Sequence, residues 1–254
     1  MRILNEGGNI WPECETGFDP GKVGKPLTKT TQKYLDPIGV TLEVVGSCWK
    51  PRYDADGNVV PSNDLDALLD ADTLMQYFGT KDGSTTRKAL SEFLQKQGLT
   101  TKLAGVTVHT KVPMNGTCYQ VDIKVVKNAA EVAQYHRHDI PQGSPYKGVN
   151  KQLIMNALAS SQRMLWSPDE GLYARDTEGK KAELLTTNWD KIAEYLLGKG
   201  ATGKDLGSVE SILAKIPDAA RKEEILNMAR GGRSWQEQTP NITEWFRSVL
   251  DMLK

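Results

Sequence analysis

The sequence predicts an α+β protein: a small mixed sheet flanked by helices, followed by a mostly helical C-terminal domain. Two patterns predict it. Apolar side chains alternate in short runs between residues 40 and 125, and beyond residue 149 they recur every third or fourth position. Size agrees, since 254 residues with 39% hydrophobic side chains can bury a core in each of two modest domains, 1–145 and 146–254.

The elements follow in order. Residues 1–35 are rich in Gly, Pro, Lys and Thr and read as an irregular arm, with a helical turn or two over 28–35. A strand is expected over 40–45, ended by Gly46-Ser47. Residues 50–63 carry an Asp-Ala-Asp-Gly-Asn turn at 54–58 between Tyr53 and Val59-Val60, a hairpin-like excursion. A short strand covers 64–69. Asp72 is expected to cap a helix over 73–78, and Thr85 or Thr86 the next, which Gly98 closes. Two alternating strands come next. One has Val106, Val108, Thr110 and Val112 on one face and His109 on the other; the second opposes Tyr119, Val121, Ile123 and Val125 to Gln120, Asp122 and Lys124. Pro113-Met-Asn-Gly116 turns between them.

From residue 149 a helical stripe of Leu153, Ile154, Ala157, Leu158, Ser161 and Leu165 begins. An exposed hairpin or loop is expected over 166–180, with helices at 188–197, 208–216 and 219–229. A last helix is expected after Asn241, with Glu244 completing a capping box.

Charge narrows the function. Lys plus Arg and Asp plus Glu number 32 each, and both halves of the chain are close to neutral. Neither half is built as a general polyanion binder, so nucleic-acid contact would be local. No apolar run is long enough to span a membrane, and Met1–Asn9 lacks the apolar core of a secretory signal. Cys14, Cys48 and Cys118 are odd in number and share no CxxC spacing, which points to a reducing cytosol without a disulfide scaffold or structural zinc. His136-Arg-His138 has no neighbouring ligand at metal spacing, and the 54–58 turn lacks the later ligands of a calcium loop.

The informative constellation is Gly46-Ser47, then Asp64-Leu-Asp66, then Asp122. Positions i and i+2 of a strand point the same way, about 6.6 Å apart. Asp64 and Asp66 therefore share a face, and Asp122 leaves the apolar face of its own strand. If the two strands are neighbours, three carboxylates converge. Such a cluster calls for a hard cation, and Mg²⁺ takes oxygen ligands while leaving positions for phosphates. Two such ions can activate an attacking oxygen and stabilise a leaving one. A strand ending in Gly-Ser lets a phosphate approach the backbone and offers it N–H and hydroxyl groups. The parts fit chemistry on a nucleoside triphosphate.

In this order the residues resemble the DNA polymerase β-like nucleotidyltransferase superfamily. The resemblance implies that Asp64, Asp66 and Asp122 hold two Mg²⁺ ions, with Asp122 also the base for an acceptor hydroxyl. It implies that Gly46 and Ser47 bind the triphosphate of an NTP such as ATP, and that pyrophosphate is released. Ser144-Pro-Tyr-Lys-Gly148 and the opening MRILNEGGN look similar to nucleotidyltransferases of tailed phages, which would place the protein in a host cytoplasm. The sixteen residues between Ser47 and Asp64 depart from the pattern as an insertion beside the site.

Further candidates are Lys50 and Arg52 as phosphate neutralisers, Lys147 as a triphosphate ligand, and His109 and Lys111 at the cleft border. Trp11, Trp49 and Trp166 could stack on a base or fill cores, and Cys48 and Cys118 read as small fillers. The acceptor could be an RNA 3′ end, a protein or a small molecule. A non-catalytic binding or viral assembly protein on the same fold is the alternative, and a two-metal nuclease would use similar carboxylates.

Overall fold

Helix α1, Pro20–Leu35, has a start written in its local sequence. Asp19 accepts the Gly21 N–H at 2.8 Å, and Pro20 occupies the first turn, where no backbone donor is needed. Leu27, Thr31 and Leu35, four residues apart, bury its inner side. The expected irregular arm is therefore corrected to the segment before Asp19. Gly21, Gly24 and Pro26 masked the helix, and packing against the sheet outweighs their poor propensity.

The computed structural model describes residues 10–231; the expected helix after Asn241 lies outside them. The described residues fall into two units, 10–52 with 59–137, and 53–58 with 138–231.

In the first unit, strand β1 is only Glu43–Val44, and Gly46–Trp49 forms a single helical turn, α2. Strand β2 spans Asp64–Asp70, followed by α3, Ala71–Phe78, and α4, Gly83–Lys96. The caps differ from expectation. Asp70 rather than Asp72 caps α3 by accepting the Thr73 N–H, and Asp82 rather than a threonine caps α4 by accepting the Ser84 and Thr85 N–H groups. Strands β3 (Thr100–Ala104), β4 (Thr107–Met114) and β5 (Thr117–Val126) precede α5, Ala129–His136. Asn115 and Gly116, with φ of 53° and 82°, make the tight turn between β4 and β5. Sequence alternation missed β3 because it is a mostly exposed edge strand with little to bury.

The sheet order is β1-β2-β5-β4-β3, with β2 and β5 parallel and the other pairs antiparallel. One face carries Leu65, Ala67, Leu69, Val108, Val112, Val121 and Ile123, packed into a core with Leu27, Leu35, Leu90 and Leu94 from α1 and α4. The alternation fixes what the other face presents: Asp64 and Asp66, Gln120, Asp122 and Lys124, and His109 and Lys111. Helix α5 packs against β1, β2 and β5.

In the second unit, α6 (Gly148–Ser161) is followed by an antiparallel sheet of β6 (Met164–Ser167), β7 (Gly171–Arg175) and β8 (Lys181–Thr186). Of the expected hairpin or loop over 166–180, the hairpin is what forms, as β6 and β7, and β8 extends it to a third strand. Its strands are too short for alternation to register, and Met164-Leu-Trp166 is a continuous apolar run. Trp166 is buried with its ring centroid 6.0 Å from that of Trp189, so it fills a core. Helices α7 (Trp189–Leu197), α8 (Val209–Lys215) and α9 (Ala219–Arg230) lie close to their expected ranges. The Asp54–Asn58 turn belongs to this unit. It is closed by Asp54 itself, whose carboxylate accepts the Asn58 backbone N–H at 2.8 Å and its side-chain amide at 3.2 Å.

Candidate metal and nucleotide site

Parallel pairing of β2 with β5 sets Asp66 directly opposite Asp122 and Asp64 opposite Gln120. One carboxylate oxygen from each of Asp64, Asp66 and Asp122 lies within 4.8 Å of the others, and among the described residues no other group of acidic, His or Cys side chains is so placed. Asp64 and Asp66 are half-buried and Asp122 is buried. Crowding has the expected electrostatic result. Burial, then the charges of Asp66 and Asp122, push the Asp64 carboxyl well above its ordinary range. Asp66 is raised by burial and by Asp122, with Lys124, His136 and His109 acting in the opposite direction.

Asp122 is held from two sides. His109, its cross-strand partner on β4, donates from Nδ1 to Oδ1 at 2.8 Å. Gln120, two residues back on the same face and fully buried, donates from Nε2 to the same oxygen at 2.9 Å. The side-chain oxygen Oε1 of Gln120 in turn accepts the Ile10 N–H at 2.7 Å.

The Gly46-Ser47 turn reaches the cluster through β1. The Val45 N–H donates to the Asp66 carbonyl at 3.0 Å, which sets the next residue against the Asp66 side chain. Gly46 has φ of +63°, and a Cβ there would lie 2.5 Å from Asp66 Oδ2. Both facts require glycine. Ser62 Oγ donates to the Asp64 carbonyl at 2.9 Å and lies 2.6 Å from Ser47 Oγ. With its one proton committed, Ser62 accepts the Ser47 proton. The Ser47 hydroxyl expected to donate to phosphate is thus spent on Ser62, and the backbone N–H groups of the turn are the donors left for an anion.

The N-terminal segment is tied to the same strands. Cys14 and Cys118 form a disulfide across a separation of 104 residues, the Glu15 N–H donates to the Cys118 carbonyl at 2.8 Å, and Lys111 pairs with Glu13 at 2.6 Å. This corrects the reading of Cys118 as a filler and removes the cysteine argument for a reducing compartment. No spacing rule could have found a pair so far apart in sequence. Cys48 is the free, buried cysteine.

Lys50 is exposed just beyond α2. Arg137 stacks over the Trp49 ring at 5.5 Å and pairs with Glu43 at 2.9 Å. Lys147 is the exposed N-cap residue of α6 in the second unit, its backbone N–H donating to Asn150 Oδ1 at 2.7 Å. His136 ends α5, whereas His138 belongs to the second unit and packs there at Gly148, where a Cβ would meet its ring at 1.9 Å. Sequence reasoning missed Gln120, Ser62 and His136. The first two carry no recognisable spacing, and the third reaches Asp66 electrostatically only because α5 lies on the sheet.

The donor set is oxygen alone and strongly anionic, which suits a hard divalent cation such as Mg²⁺ and not a soft metal. No helix among the described residues is long and apolar enough to cross a membrane.

No protein-family model matches the chain. No curated protein matches it. Among solved structures, one described as a cytoplasmic RNA terminal U-transferase is similar, with 16% identity and a TM-score of 0.30. The similarity covers 59% of this chain and spans about half, 51%, of the length of that one.

Proposed function

We propose that the protein is a Mg²⁺-dependent nucleotidyltransferase that moves an NMP from an NTP to an acceptor hydroxyl and releases pyrophosphate. The observation that supports it is the meeting of Asp64, Asp66 and Asp122 within 4.8 Å beside a glycine turn pressed against Asp66. On this reading, Asp64, Asp66 and Asp122 hold Mg²⁺, which neutralises triphosphate charge when bound. The Gly46-Ser47 backbone cradles the triphosphate, and Lys50, just beyond the turn, adds positive charge to it. Asp122 takes the proton of the acceptor hydroxyl. The acceptor oxygen bonds to the α-phosphorus as the bridge to the β-phosphate breaks, and the electron pair leaves with pyrophosphate. Positioning and electrostatics carry the rate, as in other phosphoryl transfers.

The acceptor is an RNA 3′ end, a protein hydroxyl or a small molecule.

The test is incubation with labelled ATP, CTP, GTP and UTP in host-cell extract with Mg²⁺, followed by separation of RNA, protein and small molecules. Label transfer that disappears in Asp64→Asn and Asp66→Asn supports the reading; wild-type turnover in either variant overturns it. Melting with each NTP, with and without Mg²⁺, distinguishes a docking protein on the same fold, which would show no shift.

A further inference from the structure

The metal-facing strand carries a fully buried amide that the transfer reaction itself does not require. Gln120 shares a face with Asp122, is 0% exposed, and makes one hydrogen bond at each end. The direction of that chain is dictated by chemistry. A backbone N–H can only donate, so the Gln120 oxygen must face Ile10. Its amide NH₂ is thereby turned to Asp122, whose carboxylate can only accept. Ile10 belongs to the segment tied to β4 and β5 by the Cys14–Cys118 disulfide, the Glu15–Cys118 backbone bond and the Glu13–Lys111 pair.

We propose that Gln120 is a positioning residue for Asp122, its amide oriented by the N-terminal segment through the Ile10 N–H. The inference rests on the reading of the three aspartates as a metal site and adds to it a specific dependence on a distant segment. With Gln120 and His109 both donating to Oδ1, that oxygen is saturated and the carboxylate rotation is fixed, leaving the second oxygen for a cation. Without the Ile10 N–H, the buried Gln120 oxygen loses its donor, and only the contact with Asp122 still orients the amide. An amide turned the other way sets two acceptors against each other, and the carboxylate loses its rotational restraint. Groups that orient a ligating carboxylate typically alter metal affinity by one to two orders of magnitude.

The test uses the full chain and Mn²⁺ as the probe, with free Mn²⁺ measured by electron paramagnetic resonance. Gln120→Met keeps length and bulk but cannot donate to a carboxylate. It is expected to weaken Mn²⁺ binding about tenfold, with turnover recovered at saturating Mn²⁺, which a merely structural defect would not show. Ile10→Pro removes the donor while leaving Gln120 in place, and is expected to weaken binding in the same direction. It carries the test by itself if Gln120→Met does not fold. Wild-type Mn²⁺ affinity in both folded variants, or in Ile10→Pro when it is the only folded one, overturns the proposal. Asp66→Asn separates this from the parent reading: if it too binds Mn²⁺ like wild type, the metal site itself is wrong.

Discussion

Gly46 sits so close to Asp66 that a single added carbon would stand 2.5 Å from the carboxylate oxygen Oδ2. The turn after β1 and the acidic strand are therefore one mechanical unit. Gly46→Ala must either displace Asp66 or abandon φ of +63°. We expect a stability loss of about 1–2 kcal/mol from the left-handed backbone alone, measured by urea denaturation. Mn²⁺ binding should fall beyond that, because the clash falls on a ligand.

The raised Asp64 and Asp66 carboxyls predict an inverted pH dependence at this site. A carboxyl with a raised value in the fold keeps protons that the unfolded chain has released. Its contribution to stability therefore falls as pH rises from about 4 toward about 8. Asp64→Asn removes one of the repelling charges. In EDTA it should melt above wild type, by a margin that widens between about pH 5 and pH 8. Adding Mg²⁺ should raise the wild-type melting temperature and close the gap.

Ser62 links Ser47 to the Asp64 backbone. Ser62→Ala breaks both bonds in a buried place and should cost about 1 kcal/mol. Under the proposed function it also releases the turn that cradles phosphate. Steady-state kinetics should then show a higher KM for NTP with a smaller change in kcat.

The three cysteines should differ sharply. Peptide mapping without reductant is expected to recover Cys14 joined to Cys118, and reduction should lower the melting temperature by opening a loop of 104 residues in separation. The Cys48 thiol is pushed up to about 12 by burial, then by the charges of Asp66 and Asp64. Iodoacetamide should leave it unmodified in the native protein at neutral pH and label it once denatured.

Local pattern alone was enough to locate the strand carrying Asp64 and Asp66, the hairpin of β4 and β5, and helices α7 to α9. Each has a clear period or turn residues of its own. The strict alternation of β5 also assigned Asp122 to the non-core face without reference to any other part of the chain. The first half of helix α1, edge strand β3 and the full extent of the β6–β8 sheet escaped notice. Their reasons differ: poor helix formers rescued by packing, an edge with little to bury, and strands too short to display a period.

Whether the three aspartates meet depended on which strands pair and in what register, and a sliding window carries no information on either. The parallel β2–β5 ladder decided it by setting Asp66 against Asp122. The same tertiary choice brought Gln120 under Ile10 and joined Cys14 to Cys118. Contacts between residues a hundred positions apart depend on the shared burial of the whole sheet, so their partners cannot be read from neighbouring side chains.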